Sequence, residues 1–343
     1  MTEMEPTIEE WRRLYNAAIK FKRHECWNYM WDSDIFGVQN PETAEIGYCC
    51  VMGRNGEHFA LAVYKGSEGL DGLLSIFNDE VDATSINALH VQNCLMASFE
   101  DRKYLDKRDY EIIKKLGLKF RGRKAWPLFR DYTPGYHPWY LSSKDARFLT
   151  IALEQSIEIS MRMRGNPDLL TSNDESLYLV RVPYKVEDNI KWKDKWIKPA
   201  PIIREIKSID LMKNPKYRKR LKNIRKDKNQ MGTWEIGTFN SPWGVQEGSE
   251  RPYYPKLIVY VDHDSRMILS FFMAHPINYQ EDFIDHFISF LENINFLPRK
   301  IVASDVEILA LLHPITEELK IELFEADYLE VVEDVRDFLI SSG

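Results

Sequence analysis

The chain has 343 residues, 44% hydrophobic and 29% charged, with a formal net charge of −7. It is long for one core, and its composition is that of a globular protein, which excludes disordered and fibrous classes and makes two domains the expectation. Its apolar runs fall short of the ~20 residues of a membrane span, and the acidic start MTEMEPTIEEW has no signal-peptide pattern, so a soluble, cytoplasmic protein is expected.

Residues 8–23 place Trp11, Leu14, Ala18 and Phe21 at helical spacing, and Thr7 with Glu10 forms a capping box. Three strand-like runs follow at 34–41, 45–53 and 58–66, with Asn55-Gly56 as a hairpin signal between the second and third. An antiparallel meander is expected. Cys49 and Cys50 on its second strand then point to opposite faces, one buried and one more exposed. Helices are expected around 70–78 and 84–99 and over 106–116, the last stopped by Gly117.

The segment 119–140 is aromatic and basic and is broken by Pro127, Pro134, Gly135 and Pro138. It reads as a long ordered loop rather than a helix or a central strand. Arg121, Arg123, Lys124 and Arg130, interleaved with Trp126, Phe129, Tyr136 and Trp139, suit a stacking and phosphate-contacting groove. The alternative, which is favoured, is that the aromatics anchor the loop to the core. Ser143 caps a helix over 144–164 whose apolar side carries Phe148, Leu149, Ala152, Leu153, Ile157 and Met161. Strands at 176–185 and 191–198 close this first domain.

Charge is then sharply segregated. Residues 207–228 hold ten Lys or Arg against Asp210 and Asp227, whereas 281–343 hold fifteen Asp or Glu against four Lys or Arg. Asn214-Pro215 opens a basic helix over 215–230. Arg218, Lys219, Arg220 and Lys222 are its candidate nucleic-acid contacts. The acidic net charge favours a resting place against the acidic domain of this chain or of a protein partner. The expected division is an α+β domain over 1–200, a basic helical connector over 201–230 and an α/β domain over 231–343.

The last part reads as strands at 233–239, 257–262 and 267–276, a helix at 278–293, a strand at 300–304 and a helix from 306 interrupted at Pro314. A strand at 321–326 and a helix at 328–340 complete it. The order βββαβαβα, with right-handed crossovers, resembles the ribonuclease H-like superfamily of integrase and transposase cores. Short matches in the right order carry the likeness: Trp234-Glu235-Ile236-Gly237, Val261-Asp262-His263-Asp264-Ser265-Arg266, and Pro298 through Ser304-Asp305. The chain as a whole resembles an uncharacterised two-domain bacterial family, which implies no activity.

The resemblance implies two divalent ions, Mg²⁺ or Mn²⁺, held by carboxylates of the first strand, the fourth strand and a late helix. Asp305 stands at the fourth-strand position, and Glu330, Glu333 or Asp334 can come from the helix. The first-strand position is Gly237, however, and Glu235 lies one side-chain repeat earlier, about 6.6 Å away. Asp262 sits at a hairpin end, where Asp forms turns. The expectation is therefore a degenerate, non-catalytic domain acting by binding, without a cofactor. The alternative is a metal-dependent nuclease or nucleotidyl-transfer enzyme using Glu235, Asp305 and Glu333. Paired C-x-x-C ligands for zinc, a P-loop and a G-x-S-x-G elbow are all missing from the sequence.

Overall fold

The computed structural model describes residues 4–83, 85–187, 189–202, 211 and 213–341. The chain divides into two compact units, one formed by 1–134 with 138–202 and the other by 135–137 with 203–343. Part of the expected connector, 203–210 and 212, lies outside the described residues.

In the first unit, α1 (Ile8–His24) starts at the Thr7–Glu10 capping box. It leads into β1 (Phe36–Gln39), β2 (Ile46–Met52) and β3 (Ala60–Lys65), the expected antiparallel meander. Next come α2 (Gly66–Phe77), α3 (Asn87–Val91), β4 (Cys94–Glu100), α4 (Lys107–Lys115), β5 (Trp126–Tyr132) and α5 (Ser143–Gly165). The hairpin β6 (Tyr178–Val186) and β7 (Asn189–Ile197) follows. The meander is the middle of a seven-stranded sheet of order β5-β4-β3-β2-β1-β6-β7, antiparallel except between β1 and β6.

Three expectations are corrected here. The run expected as helix up to residue 99 is helical only at Asn87–Val91 and becomes strand β4, buried on both faces. A short, continuously apolar stretch carries no period with which to tell the two apart. The segment 119–140 contains strand β5, which sits at the sheet edge, where Pro127 is tolerated. Cys49 and Cys50 do point to opposite faces, but both are buried: α1 and α5 cover one side of the sheet, and α2 covers the other over β2 and β3. Phe120, Trp126 and Phe129 of the segment 119–140 serve the core. Phe129 is buried, Phe120 and Trp126 pack against it, and Arg130 is spent on Asp106 and Asp109.

α5 also turns more than its sequence spacing indicated. Met161 is 60% exposed, and Ser156, Ile159 and Ser160 face the core instead. The two serines enter it cheaply, because their hydroxyls donate to the carbonyls of Ala152 and Ile157. Leu149→Ala should therefore cost about 2–5 kcal/mol in urea unfolding, and Met161→Ala less than about 0.5 kcal/mol.

The second unit begins with α6 (Pro215–Asp227), whose first turn is capped by the Asn214 side chain. It continues with β8 (Asn229–Gln230), β9 (Thr233–Asn240), β10 (Lys256–Asp262), β11 (Ile268–Ala274), α7 (Gln280–Asn293), β12 (Phe296–Leu297) and β13 (Lys300–Ala303). α8 (Val306–Leu319), β14 (Glu322–Glu325) and α9 (Glu330–Ser341) end it. The sheet order is β11-β10-β9-β13-β14. β9, β10 and β11 are antiparallel, while β13 runs parallel to β9 and β14 parallel to β13.

α6, α7 and α8 cover one face of this sheet through Trp234, Ile236, Ile258, Tyr260 and Ile301. α9 covers the other through Val259, Val261, Val331 and Val332. α8 runs through Pro314, the expected interruption. Leu311, Leu312, Ile315 and Leu319 are buried on both sides of it, which offsets the lost backbone hydrogen bond.

Candidate functional site

Side chains alternate along β9. Trp234 and Ile236 enter the core beneath α6–α8, whereas Glu235, Gly237 and Phe239 face α9. Glu235 is 3% exposed, and both its oxygens are engaged. Oε2 accepts from the backbone N–H groups of Val331 (3.0 Å) and Val332 (3.3 Å), in the first turn of α9. Oε1 lies 2.6 Å from Nδ1 of His263, in the β10–β11 turn. The first turn of a helix offers unpaired N–H donors and a positive dipole end, so a buried carboxylate is at home there.

Gly237 is required by the same packing. A Cβ at that position would stand 2.4 Å from Cγ1 of Val332. The position at which the superfamily resemblance wants an acid is thus filled by the helix.

Asp305 belongs to a different cluster. Oδ1 caps α8 by accepting from the Glu307 and Ile308 amides, and Oδ2 accepts from Thr238 Oγ1 (2.9 Å) and Lys256 Nζ (3.0 Å). Lys256 also donates to the Tyr279 hydroxyl, which in turn donates to Glu307. Burial tends to raise the Asp305 pKa, but the Lys256 charge and the bonds from Lys256, Thr238 and the Ile308 amide bring it below the usual Asp value. Burial and the neighbouring Glu307 push the Tyr279 hydroxyl well up.

The structure does not bring Glu235, Asp305 and Glu333 together. Glu235 points to the α9 face, while Asp305 bonds Thr238, which is three residues further along β9, about 10 Å, and on the opposite face. Glu333 pairs with Arg336 on its own helix, and Glu330 and Asp334 share Arg266. Asp262 accepts from the amide and hydroxyl of Ser265 and so closes the turn. Among the described residues, no group of three or more His, Cys, Asp or Glu is arranged to hold a metal ion. These side chains do not fit a two-metal centre.

The candidate nucleic-acid contacts divide. Arg220 is bound by Asp285 (2.9 Å) and Glu292 (2.7 Å) of α7, with Ser289 beside them. Tyr217, Leu221 and Ile224 bury the inner stripe of α6. Arg218, Lys219 and Lys222 lie on its exposed side. His263, Lys256, Thr238 and Tyr279 were not singled out by sequence. Each comes from a different turn or strand, and no local motif links them.

Residues 11–181 match a family described as "Domain of unknown function (DUF7309)", and residues 218–340 match one described as "Domain of unknown function (DUF6930)". Two such domains therefore cover most of the chain. No curated protein matches it.

Two outcomes are expected. Glu235→Ala leaves two helix N–H groups without their acceptor and His263 without its partner, so it should cost about 2–4 kcal/mol in urea unfolding. Asp305 has a depressed pKa in the folded state, so its contribution is complete above the ordinary Asp pKa and is lost as pH falls through the lower folded value. Stability should therefore drop below about pH 4, with a shallower acid limb in Asp305→Asn.

Proposed function

We propose that the second unit is a ribonuclease H-like domain that has lost the metal-dependent chemistry of that superfamily, and that the protein works by binding a partner, most simply another protein. The strand order and directions support the superfamily reading: three antiparallel strands, then two parallel strands reached through α7 and α8. One observation carries the non-catalytic reading. Val332 of α9 packs onto Gly237, in the volume a first-strand carboxylate would need. The nearest acid, Glu235, is consumed as the anchor of that helix. A two-metal site needs carboxylate oxygens about 2.1 Å from ions that stand about 4 Å apart, and here Glu235 and Asp305 are turned to opposite faces of the sheet.

A protein partner suits the surface better than nucleic acid. Arg220 and Lys216, two of the basic side chains of α6, already lie against the acidic α7. Compartment is part of the proposal only as a cytoplasmic setting. Among the described residues, no helix is long and apolar enough to cross a membrane.

The test is incubation of the full chain with single- and double-stranded DNA and RNA in Mg²⁺ or Mn²⁺. The expected result is no cleavage above that of Asp305→Ala, and no saturable Mn²⁺ binding in calorimetry. Cleavage that disappears in Asp305→Ala would overturn the reading in favour of an enzyme.

A further inference from the structure

β11 is an edge strand whose sequence, ILSFFMA, carries no charge. Among the described residues, no strand pairs with its outer side. Its side chains facing α9 are uncovered: Phe271 is 56% exposed and Met273 51%. Ile268 and Trp243 are exposed in the same region. Phe271 and Met273 form one wall of an almost wholly apolar cavity of about 280 Å³, completed by Trp243, Leu257, Val259 and Leu339. Single apolar residues on a surface need no account, but a contiguous patch beside an open strand edge does. A free, flat, apolar edge is a template for strand addition, and proteins ordinarily guard it with charge, a proline or a bulge. The one irregularity here, between Tyr260 and Val261, lies at the turn end and leaves the rest of β11 straight.

We propose that this edge and groove bind an extended segment of a partner protein, which adds as a sixth strand beside β11. Alternate apolar side chains of that segment enter the groove beneath α9, and basic residues flank it. The proposal rests on the binding reading above and names the partner's chemistry. Backbone pairing along β11 supplies the affinity, and the pocket reads every second side chain.

Charge selects the occupant. α9, whose Val335 and Leu339 line the groove, carries Glu330, Glu333, Asp334 and Asp337, and among the described residues their ion-pair partners are Arg266 and Arg336. The helix flanking the groove thus keeps a net negative charge, which suits lysine or arginine at the ends of the added strand. A second copy of this chain fits less well. Pairing β11 with itself about a two-fold axis perpendicular to the sheet puts both copies of α9 on the same face, acid beside acid.

The test uses the full chain and a short fluorescein-labelled synthetic peptide in which isoleucine alternates with threonine, with lysines at both ends. Fluorescence polarisation should show saturable binding. Phe271→Asp should weaken it about tenfold or more, and because Phe271 is exposed, the unfolding midpoint should hardly move. A proline in the middle of the peptide should cost as much, since it removes a donor from the added ladder. Glutamates in place of the lysines should weaken binding about fivefold, a difference that shrinks in high salt. No binding, equal binding by Phe271→Asp, or equal binding of the two charge variants would overturn the proposal. So would a dimer in sedimentation that Phe271→Asp converts to monomer, which would give the edge to a second copy. None of these results bears on metal-dependent cleavage, which tests the non-catalytic reading separately.

Discussion

The buried carboxylate of Glu235 ties together three parts of the second unit that are distant in sequence. It lies on the central strand of the sheet, accepts from the first turn of the last helix and meets His263 in the turn between β10 and β11. A carboxyl group so deeply buried is stable only where hydrogen bonds satisfy it, and here two amides and an imidazole do so. The helix it anchors then closes on Gly237, the one residue on that face of β9 without a side chain. Carboxylate and glycine act as a pair, one attracting the helix and the other leaving room for it.

The proposed non-catalytic reading rests on that same arrangement. The carboxylates a metal centre would use are present, but each is already committed: Glu235 to α9, Asp305 to the cap of α8 and to Lys256, and Glu333 to Arg336. An acid bound on both oxygens inside a protein has little left to offer a cation. Charge segregation along the chain has a similar local outcome. Part of the basic run folds back as α6 on the acidic α7, where Arg220 meets Asp285 and Glu292 and Lys228 donates to the last carbonyls of that helix. Arg218, Lys219 and Lys222 of α6 are exposed.

Much of this architecture was readable from residue patterns. The helix caps at Thr7 and Asn214, the meander hairpin and the alternation of elements after residue 233 are local signals, and they form where those signals stand. The failures have a common cause. β4 and β5 belong to a sheet covered on both sides or to its edge, where burial, not local period, decides the conformation. Cys49 and Cys50 are both buried for the same reason. At the site, Glu235 and Asp305 were identifiable as acids in suggestive places, but strand alternation relates residues within one strand only. It does not say that Asp305 reaches Thr238 on one face while Glu235 meets Val331 on the other. The exposed apolar face of β11 was equally hidden, because an apolar run reads alike whether a helix covers it or not.

The anchoring of α9 by Glu235 is open to one direct measurement: hydrogen exchange of the Val331 and Val332 amides. Both should be protected in the parent chain and should lose that protection selectively in Glu235→Ala, while amides within β13 and β14 exchange as before. Unchanged protection of the two valines in that variant would contradict the account, because some other group would then hold the helix and leave Glu235 available for chemistry.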